Sequence, residues 1–347
     1  MAELNLDLLK ALCETPGVPG HEDRVRALIR REVEGLFDAV EVDPMGSLLC
    51  RREARGGGAA ERVMLLCHMD EIGFLVSHVT DKGFLYLQPV GGFDPRNLFS
   101  RRVLVCTEQG DLKGVMNPGG RPIHIASPED KKKVPEPTEF FVDLGLGERA
   151  KDVVKLGDMV VMDEPFVEMG EKLVSKALDN RIACWLGIEA MRGLDGAEHG
   201  AEIHVAFTAQ EEVGLRGART ASFRVRPDIG IGIDTTLACD TPGVPDQDRT
   251  TVQGKGFGLH IRDSSFIADK ALVAEIEALA VKKKIPYQRT MLRAGGQDGA
   301  AAQQAAAGAR AVGIVVGTRY IHTVTEMIHK SDLAAARDIL VAYLKQA

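Results

Sequence analysis

The sequence predicts an α/β protein with a mostly parallel sheet flanked by helices and an inserted small domain resembling a β-barrel. Helix-like and strand-like segments alternate near both ends of the chain, which is typical of a parallel sheet with helices between its strands. From Ile72 to about Val167, short β-type runs are separated by glycines and prolines, as in small barrels or sandwiches. We therefore predict a main domain of residues 1–70 and 168–347 and an inserted domain of residues 71–167.

The first seventy residues predict two helices followed by strands of the main domain. Apolar residues recur at helical spacing in both helices. The last strand is apolar throughout, which suits a strand covered on both faces of a sheet. The predicted elements are helices at Leu6–Glu14 and His21–Phe37, strands at Val40–Val42 and Leu48–Arg51, a loop at glycines 56–58, and the strand Val63–Cys67.

The inserted region is predicted to contain only short strands and turns. Its predicted strands are Phe74–Val76, Phe84–Leu87, Val103–Cys106, Phe140–Val142 and Met159–Val161. Gly91, Gly110 and Pro118 are interpreted as turn signals between them. The charged run Glu129–Lys133 is interpreted as a solvated loop.

Alternating helices and strands resume after the insertion and complete the main domain. The glycine-rich stretch Gly254–Gly258 lacks the spacing of a phosphate-binding loop and is predicted to be a plain loop. The predicted elements are a helix at Asp179–Met191, strands at Glu202–Thr208 and Ile229–Ile233, a helix at Phe266–Lys284, a strand at Val312–Val316 and a final helix at Asp332–Leu344.

Composition narrows the class of protein. The formal net charge of −7 gives no basic surface for nucleic acid. No run approaches the ~20 apolar residues of a membrane span, and the first residues lack a basic segment followed by an apolar one. The six cysteines are scattered singly without zinc-binding spacing, which favours buried, reduced thiols over disulfides. These features predict a cytoplasmic protein that binds neither nucleic acid nor membranes.

Acidic residues and histidines follow one predicted apolar strand after another. Open α/β sheets bind ligands at the carboxyl ends of their strands, so these side chains are expected to converge there. Each alone has an ordinary explanation: a core histidine, a helix cap, a surface charge or a turn residue. Their recurrence favours one shared site, formed by His68, Asp70, Asp179, Glu211, Glu212, Asp234 and His322.

Such a set of side chains suits a pair of divalent metal ions. Zinc and similar ions bind histidine nitrogen and carboxylate oxygen. Two ions about 3.5–4 Å apart can deprotonate one bridging water and stabilise the oxyanion that forms in amide hydrolysis. Asp70 lies two residues after His68, on the same side of an extended chain, and is predicted to hold the His68 ring rather than bind metal.

Longer motifs surround these residues. They are His68–Phe74, Lys176–Arg181, Phe207–Ala218, Ile233–Thr236 and Arg319–His322, and they closely resemble the M42 family of metallo-aminopeptidases, which includes glutamyl and deblocking aminopeptidases and tetrahedral peptidases. The resemblance extends from about Leu8 to the C-terminus and includes Gly91–Asp94 and Arg101–Val103 in the inserted region. The motifs are long, ordered and specific.

The resemblance implies a role for each residue of the site. One metal would be bound by His68 and Asp234, the other by Glu212 and His322, with Asp179 bridging both. Glu211 would be the general base that takes a proton from the bridging water and returns it to the leaving amine. Asp70 would support catalysis through its contact with His68. Three carboxylates and a hydroxide would balance two divalent ions.

The resemblance also implies the fold, cofactors and partners. The fold would be that of di-metal exopeptidases with an inserted β-domain. The cofactors would be two divalent ions per chain, with zinc preferred and cobalt or manganese as alternatives. The substrates would be short peptides, cut at the N-terminal residue. Family members commonly form hollow dodecamers, with the inserted domain helping to make the contacts.

Three positions qualify this assignment. Gln297 stands where the family usually has Thr, Ser or Asn, and Thr323 where Ser is common, so both are expected to affect the shape of the substrate pocket. His329 follows His322 by seven residues but lies in no motif. It is predicted to be a surface histidine rather than a ligand.

Two other functions stay open at this point. Some family members have been labelled endoglucanases, and a glycosidase needs two carboxyl groups roughly 5–9.5 Å apart across the glycosidic bond. Adjacent glutamates do not readily provide this arrangement, which would also leave the histidines unexplained. A non-catalytic interaction protein would be favoured by a damaged ligand set, whereas every ligand position and the base are filled here.

Overall fold

A computed structural model of the chain describes residues 3–56, 61–194 and 196–347. Glycines 57 and 58, where part of a loop was predicted, lie outside the described residues. The helices are α1 (Leu6–Glu14), α2 (Asp23–Glu32), α3 (Ala150–Val153), α4 (Leu178–Arg192), α5 (Arg216–Val225), α6 (Lys270–Lys283), α7 (Gly299–Gln303) and α8 (Lys330–Leu344).

The strands lie in three sheets. In chain order they are β1 (Ala39–Val42), β2 (Leu48–Arg52), β3 (Arg62–His68), β4 (Gly73–Val79), β5 (Phe84–Val90), β6 (Arg101–Thr107), β7 (Gly110–Pro118), β8 (Phe140–Asp143), β9 (Met159–Met162), β10 (Val167–Met169), β11 (Lys172–Ser175), β12 (Glu202–Thr208), β13 (Ile229–Leu237), β14 (Phe257–Arg262), β15 (Tyr287–Met291), β16 (Arg310–Thr318) and β17 (Glu326–His329).

The main sheet has eight strands in the order β1-β2-β12-β3-β13-β16-β14-β15. Its centre is parallel, since β3 pairs in parallel with both β12 and β13, and β13 pairs in parallel with β16. The edge strand β1 pairs antiparallel with β2, and β2 pairs antiparallel with β12, as do β14 and β16 with each other. The parallel centre brings the carboxyl ends of β12, β3, β13 and β16 to one edge of the sheet.

Helices cover both faces of this sheet, as the apolar character of β3 predicts. Alternate residues of a strand point to opposite faces. Leu65 lies in the large core with α1, α4 and α8, whereas Leu66 packs in a smaller cluster with Ala218 of α5 and Ala301 of α7. Both leucines are fully buried.

The inserted region forms a closed barrel in the order β4-β5-β8-β7-β6-β9. It has its own apolar core, which includes Phe74, Val103, Met116 and Phe140. The predicted fold class, a mostly parallel sheet with helices and a barrel-like insertion, is confirmed. The exact boundaries of the two domains stay a prediction.

Several elements differ from the prediction. The stretch predicted as a plain loop ends inside β14, because Phe257 and Gly258 are already paired with β15. Strand β7 was not predicted because its two ends, Gly110 and Pro118, were interpreted as turns. Helix α2 is shorter than predicted, and α6 begins only after Asp269, whose side chain accepts a hydrogen bond from the backbone N–H of Leu272.

The cysteines agree with the prediction of reduced thiols. All six are free of disulfides, five are buried, and Cys239 is half-buried. Burial raises the pKa of Cys13 to about 12, which keeps that thiol protonated. Among the described residues, no helix is both long and apolar enough to cross a membrane.

Candidate metal centre

The predicted site residues converge at the carboxyl edge of the main sheet. His68 is the last residue of β3, and Glu211 and Glu212 follow the neighbouring strand β12. Asp234 lies in β13, which pairs with the other side of β3. Strand β13 extends three residues beyond Asp234, whereas the sequence predicted that it ends just before this residue. Asp179 lies at the start of α4, and His322 follows β16.

These side chains form two groups that share Asp179. In the first group, Nε2 of His68 lies 3.3 Å from Oδ1 of Asp179 and 3.9 Å from Oδ1 of Asp234. In the second, Nε2 of His322 lies 3.6 Å from Oδ2 of Asp179 and 3.4 Å from Oε1 of Glu212. Within each group the potential ligand atoms all lie within 4.8 Å of one another. The two oxygens of Asp179 therefore face two different sets of donors.

The donor atoms fit a metal ion chemically. Nδ1 of His68 lies 3.0 Å from the backbone carbonyl of Asp70, so it carries the proton and Nε2 is the ligating nitrogen. That Nε2 is buried and has no hydrogen-bond partner. A buried nitrogen lone pair without a donor is costly unless a cation binds it. One histidine and two carboxylates in each group match the ligands that zinc prefers.

The electrostatics of the site also favour bound cations. Burial raises the pKa of Glu211, Glu212 and Asp234, because these carboxylates are crowded together away from water. Burial alone would lower the pKa of His322, but its contact with Glu212 and the charge of Asp179 raise it to about 10. The carboxylates therefore need positive charge nearby, which divalent ions would supply.

The Asp70 carboxylate holds the backbone of the two adjacent glutamates. Its Oδ1 accepts a hydrogen bond from the Glu211 N–H at 3.0 Å, and its Oδ2 accepts one from the Glu212 N–H at 3.0 Å. The same carboxylate is 3.5 Å from Nδ1 of His68. Asp70 thus contacts the His68 ring more closely through its backbone carbonyl than through the side chain that the sequence suggested.

Glu211 lies beside both groups but belongs to neither of those that share Asp179. Its Oε2 is 3.9 Å from Nε2 of His68. It lines a cavity of about 690 Å³ together with the proposed ligands. The lining of this cavity also includes the apolar residues Leu215, Leu237 and Leu292 and the exposed Arg219.

The sequence analysis missed a second buried carboxylate behind the site. Glu326, in β17, is 2% exposed. It accepts hydrogen bonds from the backbone N–H groups of Asp179 and His322. Glu326 lies four residues after His322 and outside the quoted motifs, so only the proximity of α4 to the loop after β16 identifies it.

A buried ion network behind the site was also missed. The carboxylate of Glu71 lies 2.7 Å from Nζ of Lys176 and 3.3 Å from Arg181. Arg181 also donates to the backbone carbonyls of Met69 and Thr15. All three charged residues lie within the family-like motifs, but no role was assigned to them.

Gln297 is buried beside two strands of the main sheet. It is 2% exposed and packs against the glycines of two central strands: a Cβ at Gly232 would lie 1.6 Å from its Oε1, and one at Gly313 would lie 2.5 Å from its Nε2. Among the residues described as lining the cavity, Gln297 is missing. Its neighbours Gly295 and Gly296 do line the cavity, so an effect of Gln297 on the shape of the pocket stays a prediction.

His329 is half-buried and caps a helix. Its Nδ1 accepts a hydrogen bond from the backbone N–H of Ser331, at the start of α8. It belongs to none of the potential metal-binding groups among the described residues.

The chain is similar to known peptidases along nearly its whole length. Residues 46–339 match the family model described as M42 glutamyl aminopeptidase. The lysyl aminopeptidase of Pyrococcus furiosus is 31% identical, over 96% of this chain and 93% of that protein. The solved TET aminopeptidase of a marine-sediment Thaumarchaeota archaeon is 32% identical with a TM-score of 0.94, covering 98% of this chain and 95% of that chain. The TET1 peptidase of Pyrococcus horikoshii, which can assemble into a tetrahedron or a large octahedral shell, is 31% identical with a TM-score of 0.87, covering 98% of each chain.

Proposed function

The chain belongs to the M42 family and is an aminopeptidase, and from this premise we propose that it uses two divalent metal ions to remove the N-terminal residue from short peptides. The resemblance drawn from the motifs is thereby confirmed. The observation that carries the two-metal proposal is the pair of ligand groups sharing Asp179. Zinc is the preferred ion because each group combines histidine nitrogen with carboxylate oxygen.

We propose the following roles for the residues. His68 and Asp234 would hold one ion, Glu212 and His322 would hold the other, and Asp179, which belongs to both groups, would serve each. Bound divalent ions supply Lewis-acid activation of the attacking water and the scissile carbonyl. Glu211, whose pKa burial raises, takes the proton from the attacking water and delivers it to the leaving amine. Asp70 keeps the backbone of Glu211 and Glu212 in place for these two tasks.

The cavity beside the ligands is the proposed site for the N-terminal side chain. Arg219 is the only Lys or Arg among the residues that line it in the described part of the chain. An exposed guanidinium attracts carboxylates and repels ammonium groups. The matched family model is described as glutamyl and the Pyrococcus furiosus relative as lysyl, so the names of relatives do not decide the preference of this chain. We propose that acidic N-terminal residues are cleaved faster than basic ones.

One experiment tests this function. Protein stripped by a strong chelator is re-supplied with zinc, cobalt or manganese and assayed on peptides that differ only in an N-terminal Glu, Leu or Lys. We expect no activity without metal, recovery with metal, and faster cleavage of the Glu peptide than of the Lys peptide. N-acetylated versions of the same peptides are the matched control and should not be cut. Full activity in metal-free protein would contradict the two-metal proposal.

The glycosidase alternative makes a different prediction in the same assay. One carboxylate oxygen of Glu211 and one of Glu212 lie within 4.8 Å of each other and of His68. Two carboxylates clustered around one histidine do not face each other across a glycosidic bond, which requires about 5–9.5 Å between the carboxyl groups. Hydrolysis of a β-glucan that persists in the chelator would favour the glycosidase.

A further inference from the structure

Glu326 joins two segments that carry proposed metal ligands. Its Oε2 lies 2.9 Å from the backbone nitrogen of Asp179, and its Oε1 lies 2.8 Å from that of His322. These nitrogens belong to the start of α4 and to the loop after β16, which are far apart in the sequence. A single carboxylate therefore spans the gap between the backbones of the bridging residue and of one terminal ligand.

Both backbone N–H groups need this acceptor. Asp179 has non-helical torsion angles (φ −80°, ψ 103°) at the start of α4, and His322 lies in the left-handed region with φ 64°. Neither conformation belongs to a regular helix or strand that would supply a carbonyl partner. Because a buried N–H without a partner is costly, the two hydrogen bonds stabilise these irregular conformations and so the directions of the ligand side chains.

The position of Glu326 is itself fixed by the fold. It lies in β17, where it is paired with Ser175 of the neighbouring strand β11. Strand β11 ends just before α4, so the three-stranded sheet places the carboxylate directly behind Asp179. Residues within a sheet hold a functional group more precisely than residues in a loop.

A similar arrangement occurs at the residues that follow β12. There, the Asp70 carboxylate accepts the backbone N–H groups of Glu211 and Glu212. An ionised carboxylate can accept at both oxygens and carries no hydrogen that would oppose an N–H. Two buried carboxylates thus hold four of the residues that surround the proposed metals.

We propose that Glu326 is a positioning residue of the metal centre, which sets the spacing between Asp179 and His322 and thereby the affinity of the site for its ions. This inference rests on the proposed two-metal function. Glu326 is not among the residues that line the cavity of about 690 Å³, which is the proposed substrate site. It therefore acts through the metal ligands rather than on the substrate. Partners that orient metal ligands commonly contribute about 10–100-fold to metal affinity or activity.

The test is Glu326→Gln, which keeps the size of the side chain but places an NH₂ donor against one of the two N–H groups. The matched control is Asp332→Asn. Asp332 is also fully buried, and its carboxylate also accepts two backbone N–H groups, those of Gly254 and Gly256, but these residues hold no proposed ligand. Zinc affinity of each metal-free protein is measured by competition with a chelating indicator, and thermal unfolding is followed with and without zinc.

We expect Glu326→Gln to bind zinc about 10–100-fold more weakly, with a smaller zinc-induced rise in Tm. At saturating zinc, kcat should remain low while KM is unchanged, because the substrate contacts are intact. Asp332→Asn should lower the Tm of the metal-free protein but keep the zinc affinity of the wild type. Zinc affinity in Glu326→Gln equal to that of the wild type would overturn the proposal.

A second variant keeps the test decisive if Glu326→Gln does not fold. Glu326→Asp retains the charge, but its shorter side chain cannot reach both N–H groups. We expect it to bind zinc more weakly than the wild type, and unchanged affinity would again overturn the proposal. Failure of the wild-type protein to bind zinc at all would contradict the proposed function instead, so the two failures are distinguishable.

Discussion

Glu211 and Glu212 are adjacent in sequence but lie in different chemical positions. The Asp70 carboxylate accepts hydrogen bonds from both backbone N–H groups, so the two backbones are fixed side by side and the side chains point in different directions. Only Glu212 belongs to the group that contains Asp179 and His322. The geometry is thus consistent with one glutamate as ligand and the other as base, although the order came from the family motif rather than from spacing.

The amide variants of these glutamates should fail in different ways. Glu211→Gln removes the proton acceptor but leaves the ligands, so kcat should fall by about 10²–10⁴-fold with zinc content unchanged. Glu212→Gln replaces an anionic ligand with a neutral one, so one ion should bind more weakly. Turnover is followed while each variant is titrated with zinc.

Recovery with excess zinc distinguishes the two roles. We expect partial recovery for Glu212→Gln and none for Glu211→Gln. Each variant serves as the control for the other, because both lose one charge at neighbouring positions. If zinc rescues Glu211→Gln instead, the roles are reversed.

Residues that follow apolar strands were the part of the site that the sequence could predict. The carboxyl ends of parallel strands meet at one edge of a sheet, so His68, Glu212 and Asp234 were expected to converge. Glu326 was not predictable in this way, because its contacts depend on how the loop after β16 lies against α4. The packing of Gln297 against Gly232 and Gly313 was not predictable either, because it depends on how the chain crosses the central strands.

At the scale of elements, the buried ions Glu71, Lys176 and Arg181 connect three parts of the fold. Glu71 lies between β3 and the first barrel strand, Lys176 precedes α4, and Arg181 lies in α4. Arg181 also donates to carbonyls at the end of α1. All three side chains are at most 6% exposed.

Glu71→Gln should therefore be strongly destabilising. It leaves two buried cations without their counter-ion, and breaking a buried pair in this way costs about 3–5 kcal/mol. We expect the midpoint of urea unfolding of the metal-free protein to fall accordingly. Glu108→Gln is the control: it removes the exposed pair with Lys155, whose side chains are 66–75% exposed, and should change the midpoint little. Equal midpoints for Glu71→Gln and the wild type would show that the network contributes no net stability.

The elements with strong periodicity or continuous apolar character were predicted well, and those marked by glycine or proline were not. Helix α1 and strand β12 have the predicted bounds, Leu6–Glu14 and Glu202–Thr208. Helix α5, Arg216–Val225, was missed because its buried face consists of small residues such as Ala218 and Ala221. Small side chains give a weak periodic signal, although they allow the helix to pack closely on the sheet.

At the scale of the whole molecule, the chain leaves the main sheet at the site and builds the barrel before returning. The last residue of β3 is His68, and barrel strands extend from Gly73 to Met162. The segment between β7 and β8 exposes three large apolar residues, since Ile123, Ile125 and Val134 are 50–70% exposed. Apolar side chains exposed together commonly mark a contact surface. The similar Pyrococcus horikoshii peptidase can assemble into a tetrahedron or a large octahedral shell.

The exposed apolar segment predicts that copies of this chain associate through the inserted domain. Light scattering after size-exclusion chromatography should give a mass several times the 37.5 kDa of one chain. Ile125→Asp places a charge on the apolar segment and should produce smaller species, because burying an unpaired charge in an interface is costly. Zinc content per chain should not change, since this segment lies outside the metal centre.

Leu156→Asp is the matched control for this prediction. Leu156 also lies in the inserted region and is 74% exposed, but it precedes β9 rather than lying between β7 and β8. The same change of a large apolar residue to a carboxylate should leave the mass of the assembly unaltered there. If both variants dissociate equally, the effect is one of charge on the barrel in general. If the wild-type protein itself has the mass of one chain, the exposed apolar segment serves no assembly, and the resemblance to tetrahedral peptidases is limited to the fold and the catalytic site.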